Sequence, residues 1–222
     1  MICLTRLGVA ERCRTVSSEQ SSIQKTGASM RRAAKSATSQ LRIIGGQWRG
    51  QKLEFPDRPG LRPTGDRVRE TLFNWLGHSL QGAQCLDLFA GSGALGIEAL
   101  SRGASHCDFV DTDREAASCI DRHLERLDAN HCGATYCIAA NDFLSSASRP
   151  WDIVFVDPPF DARVGESILM LLQTGKHITT NSWIYFETSR SDPEAVPETH
   201  YEIFREKTAG DVRYQLLRQK SP

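Results

Sequence analysis

The chain has 222 residues, 40% hydrophobic and 24% charged, with 27 Lys and Arg against 27 Asp and Glu. This is an ordinary globular composition. It excludes a membrane span, for which no apolar run approaches the required roughly 18 residues, and residues 1–10 are too short and broken for a secretory signal core, so a soluble, cytoplasmic protein is expected.

The charge is unevenly placed. Residues 1–40 hold 7 Lys and Arg and 2 Asp and Glu, residues 41–76 hold 7 and 4, and residues 77–222 hold 13 and 21. A basic arm on an acidic body fits a polyanionic partner met through the N-terminal part, or a solvated basic tail. Cysteines stand at 3, 13, 85, 107, 119, 132 and 137. There is no Cys-x-x-Cys, and the nearest approach to a metal cluster is His131-Cys132 with Cys137. These cysteines read as small buried hydrophobes in a reducing compartment, with no metal.

In chain order, residues 1–40 are rich in Ser, Thr, Gln, Arg and Ala without a sustained period and read as a disordered basic tail. "LRIIGGQWRGQKLEF" places two apolar stretches around Gly45-Gly46 and Gly50, the pattern of a hairpin. A helix follows, capped by Thr64 or Asp66 and running to Leu76, with Val68, Leu72, Phe73 and Leu76 on one face. Residues 41–76 thus form a hairpin-and-helix extension, and residues 77–222 a second unit in which strands and helices alternate: strand 84–89, helix 94–102, strand 106–111, helix 113–127, strand 135–139, helix 142–147, strand 152–156, helix 165–173 and strand 182–187. "HYEIFREKTAGDVRYQLLRQ" closes the chain as a hairpin around Ala209-Gly210-Asp211. The fold class is α/β: a doubly wound, mostly parallel seven-stranded sheet with an antiparallel C-terminal hairpin.

"CLDLFAGSGALGIEAL" is a strand, a glycine turn and a helix, in which Gly91, Gly93 and Gly96 satisfy G-x-G-x-x-G and Asp111 lies 20 residues past Gly91. On spacing alone this is a dinucleotide fingerprint. Asp87, four residues before the first glycine, has the wrong sign for a pyrophosphate and the right one for a ligand carrying ammonium groups, although a strand-end acid bonded to backbone is also consistent. S-adenosylmethionine needs glycines against which its amino-acid end can lie and an acid for its ribose hydroxyls, and Asp87, the loop and Asp111 offer both. Asn141 and Asp142 in "AANDFL" stand where a strand hands over to a helix, as acceptors for an adenine amino group or as helix caps.

"DIVFVDPPF" ends a buried strand on Asp157-Pro158-Pro159-Phe160. Two prolines restrict this segment to few shapes and remove its N–H donors. What remains is an edge of acceptors, the Asp157 carboxylate and a proline carbonyl, at the carboxyl end of a parallel strand. Such an edge suits an exocyclic amine on a nucleobase: it holds the N–H groups, turns the lone pair toward an electrophilic methyl and takes up charge as it develops. Phe160 is placed to stack on a base drawn out of its own stack.

"LDLFAGSGALGIEALSRGA" and "VFVDPPF" resemble the motifs of Rossmann-like methyltransferases that act on exocyclic amines. "RIIGGQWRGQKLEFPDRPGLRPTGDRVRETLFNWL", with "REKTAGDVRYQL" near the end, is similar to the RsmD family, bacterial enzymes that methylate N2 of one guanine in 16S ribosomal RNA, and the likeness runs from about Leu41 to about Gln219. It implies S-adenosylmethionine as cofactor and 16S rRNA or a small-subunit assembly intermediate as partner, handled by a monomer. It implies that Asp157, Pro158, Pro159 and Phe160 are catalytic and that Asp87, Phe89, Gly91, Gly93 and Asp111 bind the donor, with Asn141 and Asp142 as candidates beside them. Arg42, Arg49, Lys52, Arg62, Arg67 and Arg69 become candidates for RNA phosphates, with Arg67 and Arg69 alternatively pairing with Glu70 or Asp66. Trp48 reads as packing the hairpin on the sheet or as a base stacker. An adenine-N6 methyltransferase, a non-catalytic RNA-binding assembly factor and an NAD(P) oxidoreductase remain as rival readings of the same residues.

Overall fold

The computed structural model describes residues 38–56 and 64–221. Expectations for residues 1–37 and for Arg62 lie outside the described residues.

Strands β1 (Thr38–Arg42) and β2 (Lys52–Pro56) pair antiparallel, from Thr38 opposite Pro56 to Arg42 opposite Lys52. Leu41, Ile43, Leu53 and Phe55 are buried while Gln40, Arg42, Lys52 and Glu54 are exposed, the period-2 alternation of a ribbon with one face on a core. The strand starts at Thr38, so the tail expected over residues 1–40 reaches three residues too far. Helix α1 (Asp66–Leu76) buries the expected Val68, Leu72, Phe73 and Leu76. The expected cap is absent: Gly65 holds the N-cap position and no side chain bonds the first turn.

The main sheet contains β3 (Gln84–Asp87), β4 (His106–Asp111), β5 (Gly133–Cys137), β6 (Ile153–Val156), β7 (Trp183–Ser189), β8 (Tyr201–Ala209) and β9 (Val212–Gln219) in the order β5-β4-β3-β6-β7-β9-β8. β5 through β7 are parallel, and β9 pairs antiparallel with both β7 and β8. Helices α2 (Ala94–Ser101), α3 (Arg114–Arg126), α4 (Ala140–Ser146) and α5 (Gly165–Thr174) fall between the parallel strands. Asp113 caps α3, accepting from the backbone N–H groups of Glu115 and Ala116. The fold class read from the sequence is the one observed.

Because both faces are covered, the central strands are continuous apolar runs. Ile153 and Phe155 of β6 face a cluster with Phe73, Ile97, Leu100 and Ile120, whereas Val154 and Val156 face Phe143, Leu144, Ile168 and Leu172. The hairpin and α1 contribute Leu41, Ile43, Leu53, Leu72 and Phe73 to the first of these clusters. Helix α2 is buried all round, since β4 lies against one side and the hairpin covers the other. A Cβ on Gly96 would meet the Phe109 ring of β4 at 2.2 Å, so only glycine permits this approach of helix to sheet.

Candidate active site

The chain runs outward from β3 to β4 and β5, then returns to β6 on the other side of β3. The carboxyl ends of β3 and β6 therefore flank the switch point of the sheet, where doubly wound folds form a ligand crevice. Here the two motifs singled out in the sequence meet: the Leu88 N–H, entering the glycine loop, donates to the Phe155 carbonyl (3.1 Å), two residues before Asp157.

Hydrogen bonds shape the glycine loop. Ala90 N–H donates to the Val110 carbonyl (2.9 Å) and Gly93 N–H to the Ala90 carbonyl (2.7 Å). Gly91 N–H donates to Asp111 Oδ2 (2.7 Å), and Gly96 N–H, in the first turn of α2, donates to Asp87 Oδ2 (3.0 Å). Gly93 stands at the N-cap with φ 76°, a left-handed conformation that favours glycine. Asp111 also accepts from Asp113 N–H through Oδ1 (2.8 Å), so its half-buried carboxylate is fixed in orientation. Asp87 is 2% exposed. Burial pushes its carboxyl up to about 7, the Gly96 N–H offsets part of that, and the negative charges of Asp157 and Asp111 add to it. The strand-end acid bonded to backbone is thus realised.

Phe89 is half-buried against the cluster beneath α4 and α5. Asn141 and Asp142 are exposed in the first turn of α4, beyond the carboxyl end of β5. Their reading as helix caps is overturned: Ala139 occupies the N-cap and no side chain bonds there.

In the second motif Asp157 is half-buried, Pro158 buried, Pro159 exposed and Phe160 41% exposed. The Pro159 carbonyl accepts from Ala162 N–H (2.9 Å) in a short 3-10 turn over Phe160–Ala162, which leaves the Pro158 carbonyl as the proline acceptor. Thr64, expected to cap α1, instead donates its hydroxyl to Asp157 Oδ2 (3.1 Å). A further acid stands beside Asp157. Glu187, near the end of β7 and 5% exposed, follows Phe186 as Asp157 follows Val156, its register partner on β6, so the two acids are cross-strand neighbours, and Glu187 accepts the hydroxyl of Tyr185. Burial raises both carboxyls, and the Asp157 charge adds to the rise at Glu187. The sequence reading missed Glu187. Its signal was an acid at an inward position of a buried strand, in step with Trp183 and Tyr185.

The expected RNA-contacting cations divide. Arg42, Arg49, Lys52 and Arg67 are exposed. Arg69 is 0% exposed and faces inward, which removes it from any phosphate-contacting surface. It donates to the carbonyls of Thr64 (3.2 Å) and Arg42 (2.9 Å) and pairs with Asp66 (2.6 Å) and Glu98 (3.4 Å). Glu98, on α2, accepts in addition from the backbone N–H groups of Ile44 and Gly45 (2.8 Å each) and from Arg102 (2.7 Å). This ion pair ties hairpin, α1 and α2 together. Trp48 is half-buried against the core, as the packing reading expects.

The crevice thus collects the carboxyls of Asp87, Asp111 and Asp157, which act on one another electrostatically. A pyrophosphate would add like charge to this set. A ligand with ammonium and sulfonium groups would complement it, and the glycine backbone gives such a ligand close approach.

Comparison with known proteins gives a consistent result. The sequence profile of the family described as Conserved hypothetical protein 95 matches residues 41–218. "Ribosomal RNA small subunit methyltransferase D" of Escherichia coli K12 is 43% identical over 192 residues, 86% of this chain and 96% of that protein. The solved structure of "Putative methyltransferase yhhF" from Escherichia coli superposes with a TM-score of 0.75 at 43% identity, covering 82% of this chain and 99% of that one. "A putative sam-dependent methyltransferase" from Streptococcus mutans shares the fold alone, at 16% identity and a TM-score of 0.63 over 84% of this chain and 56% of that one.

Proposed function

The chain belongs to the RsmD family of methyltransferases, which methylate ribosomal RNA and use S-adenosylmethionine, and on that premise we propose that its target is the exocyclic N2 amine of one guanine in 16S rRNA, conventionally numbered 966. The substrate would be that RNA, naked or in a small-subunit assembly intermediate. The observation that carries the reading is the meeting of the glycine loop and the Asp157 turn at one switch point, with Leu88 bonded to Phe155.

Asp87, Gly91, Gly93 and Asp111 would hold the donor, Asp87 facing its ammonium end and Asp111 its ribose, with Asn141 and Asp142 at the adenine side. When bound, the donor supplies an electrophilic methyl on a sulfonium. The chain's own residues place the acceptor. Asp157 and the Pro158 carbonyl receive the two N–H groups of the amine and turn its lone pair toward the methyl, the prolines fixing both acceptors in advance. As the amine takes the methyl, one of its N–H protons would pass to Asp157. Phe160 is exposed beside the turn and would stack on the extruded base.

The test is methylation of RNA from cells lacking the enzyme, with labelled donor and nucleoside analysis of the product. N2-methylguanosine at one position is expected. N6-methyladenosine would transfer the same chemistry to the rival base. Donor binding without any methylated nucleoside would favour a non-catalytic role, and binding of NADH in place of S-adenosylmethionine would overturn the cofactor assignment.

A further inference from the structure

The pair formed by Asp157 and Glu187 has no part in the mechanism above beyond Asp157 itself. Two ionised carboxylates repel, so a hydrogen bond between two carboxyls requires a proton on one of them. The neighbours decide which. Thr64 reaches Asp157 from the segment before α1, donating its hydroxyl at 3.1 Å. Tyr185, on the same strand as Glu187, donates its hydroxyl to Glu187 Oε2. Tyr214 of β9 lies opposite Glu187 in the sheet register, and at the end of β3 stands Asp87, whose carboxyl the Asp157 charge raises. Among the described residues, no Lys or Arg is one of the groups that act on either carboxyl. Glu187 is the less exposed of the two, at 5%, whereas Asp157 is half-buried. Burial opposes charge most strongly at the buried member, so the proton belongs to Glu187 and the charge to Asp157.

We propose that Glu187 is the positioning residue of the catalytic turn: protonated, it donates a hydrogen bond to Asp157 and holds that carboxylate ionised and aimed at the target amine. The donors then run in one direction, Tyr185 to Glu187 and Glu187 to Asp157, with Thr64 adding a second bond to the same carboxylate. One Asp157 lone pair stays directed at the crevice. During turnover the amine proton passes to Asp157 and leaves to water from there. Glu187 keeps its own proton throughout.

The proposal rests on the methyltransferase reading and adds a pH signature. Asp157, raised by burial, accepts a proton only when ionised, so activity rises as it deprotonates, above the usual carboxylate range. Glu187, raised by burial and by the Asp157 charge, donates only when protonated, so activity falls as pH rises through its titration, where the donor is lost and a second negative charge appears. The pair titrates with two apparent values, and single-turnover methyl transfer should trace a bell between them.

Glu187→Gln keeps a donor toward Asp157 and an acceptor toward Tyr185 and does not titrate. It should lose the alkaline limb of the bell while the acid limb stays. Tyr185→Phe removes a hydrogen bond that favours ionised Glu187 and should move the alkaline limb upward. Glu187→Ala should lower the single-turnover rate by about tenfold or more with donor binding kept. A Glu187→Gln variant that retains the wild-type alkaline limb overturns the proposal. A second readout does not depend on turnover. The infrared difference between wild type and Glu187→Gln at pH 7 should contain one protonated-carboxyl band, and its absence also overturns the proposal. A wild-type protein that methylates no RNA sinks the function, and the infrared band still decides the proton on Glu187.

Discussion

Glu98 and Glu187 are both buried glutamates, and their surroundings are opposite. Glu98 lies between Arg69 and Arg102 and accepts two backbone N–H groups from the hairpin. Asp108, on β4, is similar: burial alone would raise its carboxyl, but His106, the Trp151 indole N–H and Arg149 together hold it below the usual carboxylate range. Glu187 instead faces a second carboxyl and a tyrosine hydroxyl, and its carboxyl is pushed up. Where a buried acid only joins elements, cations and backbone donors neutralise it. At the switch point acids are buried against acids, an arrangement that costs stability and is typical of sites that act on a ligand.

This contrast can be tested by removing each acid. Asp157→Ala takes away the acceptor at the crevice and should lower methyl transfer by about 10²–10⁴-fold, with donor binding kept. Measuring single-turnover rate and calorimetric affinity on the same preparation checks both, and full activity in the variant would end the assignment. Glu98→Ala leaves Arg69 buried without its carboxylate and orphans the Ile44 and Gly45 N–H groups. It should cost about 3–5 kcal/mol in urea denaturation. A stability loss below about 1 kcal/mol would show that the two acids are not as different as their neighbours suggest. The smallest effect is expected at the exposed cations. Neutralising Arg49 and Lys52 together should weaken RNA binding and reduce the slope of log affinity against log salt by about 0.7–0.9 for each phosphate left without its cation. The same change at buried Arg69 should act on folding instead. An unchanged slope in the Arg49 and Lys52 variant would place the RNA surface elsewhere.

Much of the fold was legible because its signals are local. The alternation of apolar strands with amphipathic helices is carried within windows of ten residues or so, and the expected element edges fall within a few residues of those observed, as for helix 94–102 against Ala94–Ser101 and strand 152–156 against Ile153–Val156. Both site motifs were legible for the same reason: a glycine at φ 76° and a pair of prolines are backbone statements made by the residues themselves. Partners distant in sequence were not legible. Thr64 had the composition of a cap, yet its hydroxyl goes to a carboxylate 93 residues away. Arg69 carried the same charge as Arg67, and only the docking of α1 against α2 and the hairpin turned one inward and left the other in water. Asn141 and Asp142 had cap chemistry, but α4 begins at Ala140 with Ala139 before it, so their side chains leave the helix end unbonded.

The sequence by itself determined the doubly wound class, the glycine loop and the acceptor turn, because periodicity, left-handed φ and proline stiffness act within a few residues of chain. The tertiary structure alone decided that loop and turn leave adjacent strands, that Arg69 is a structural ion rather than a surface one, and that Glu187 stands beside Asp157 on the neighbouring strand. Strand order sets the first and the last of these and helix docking the second, and both bring together residues that no local rule connects.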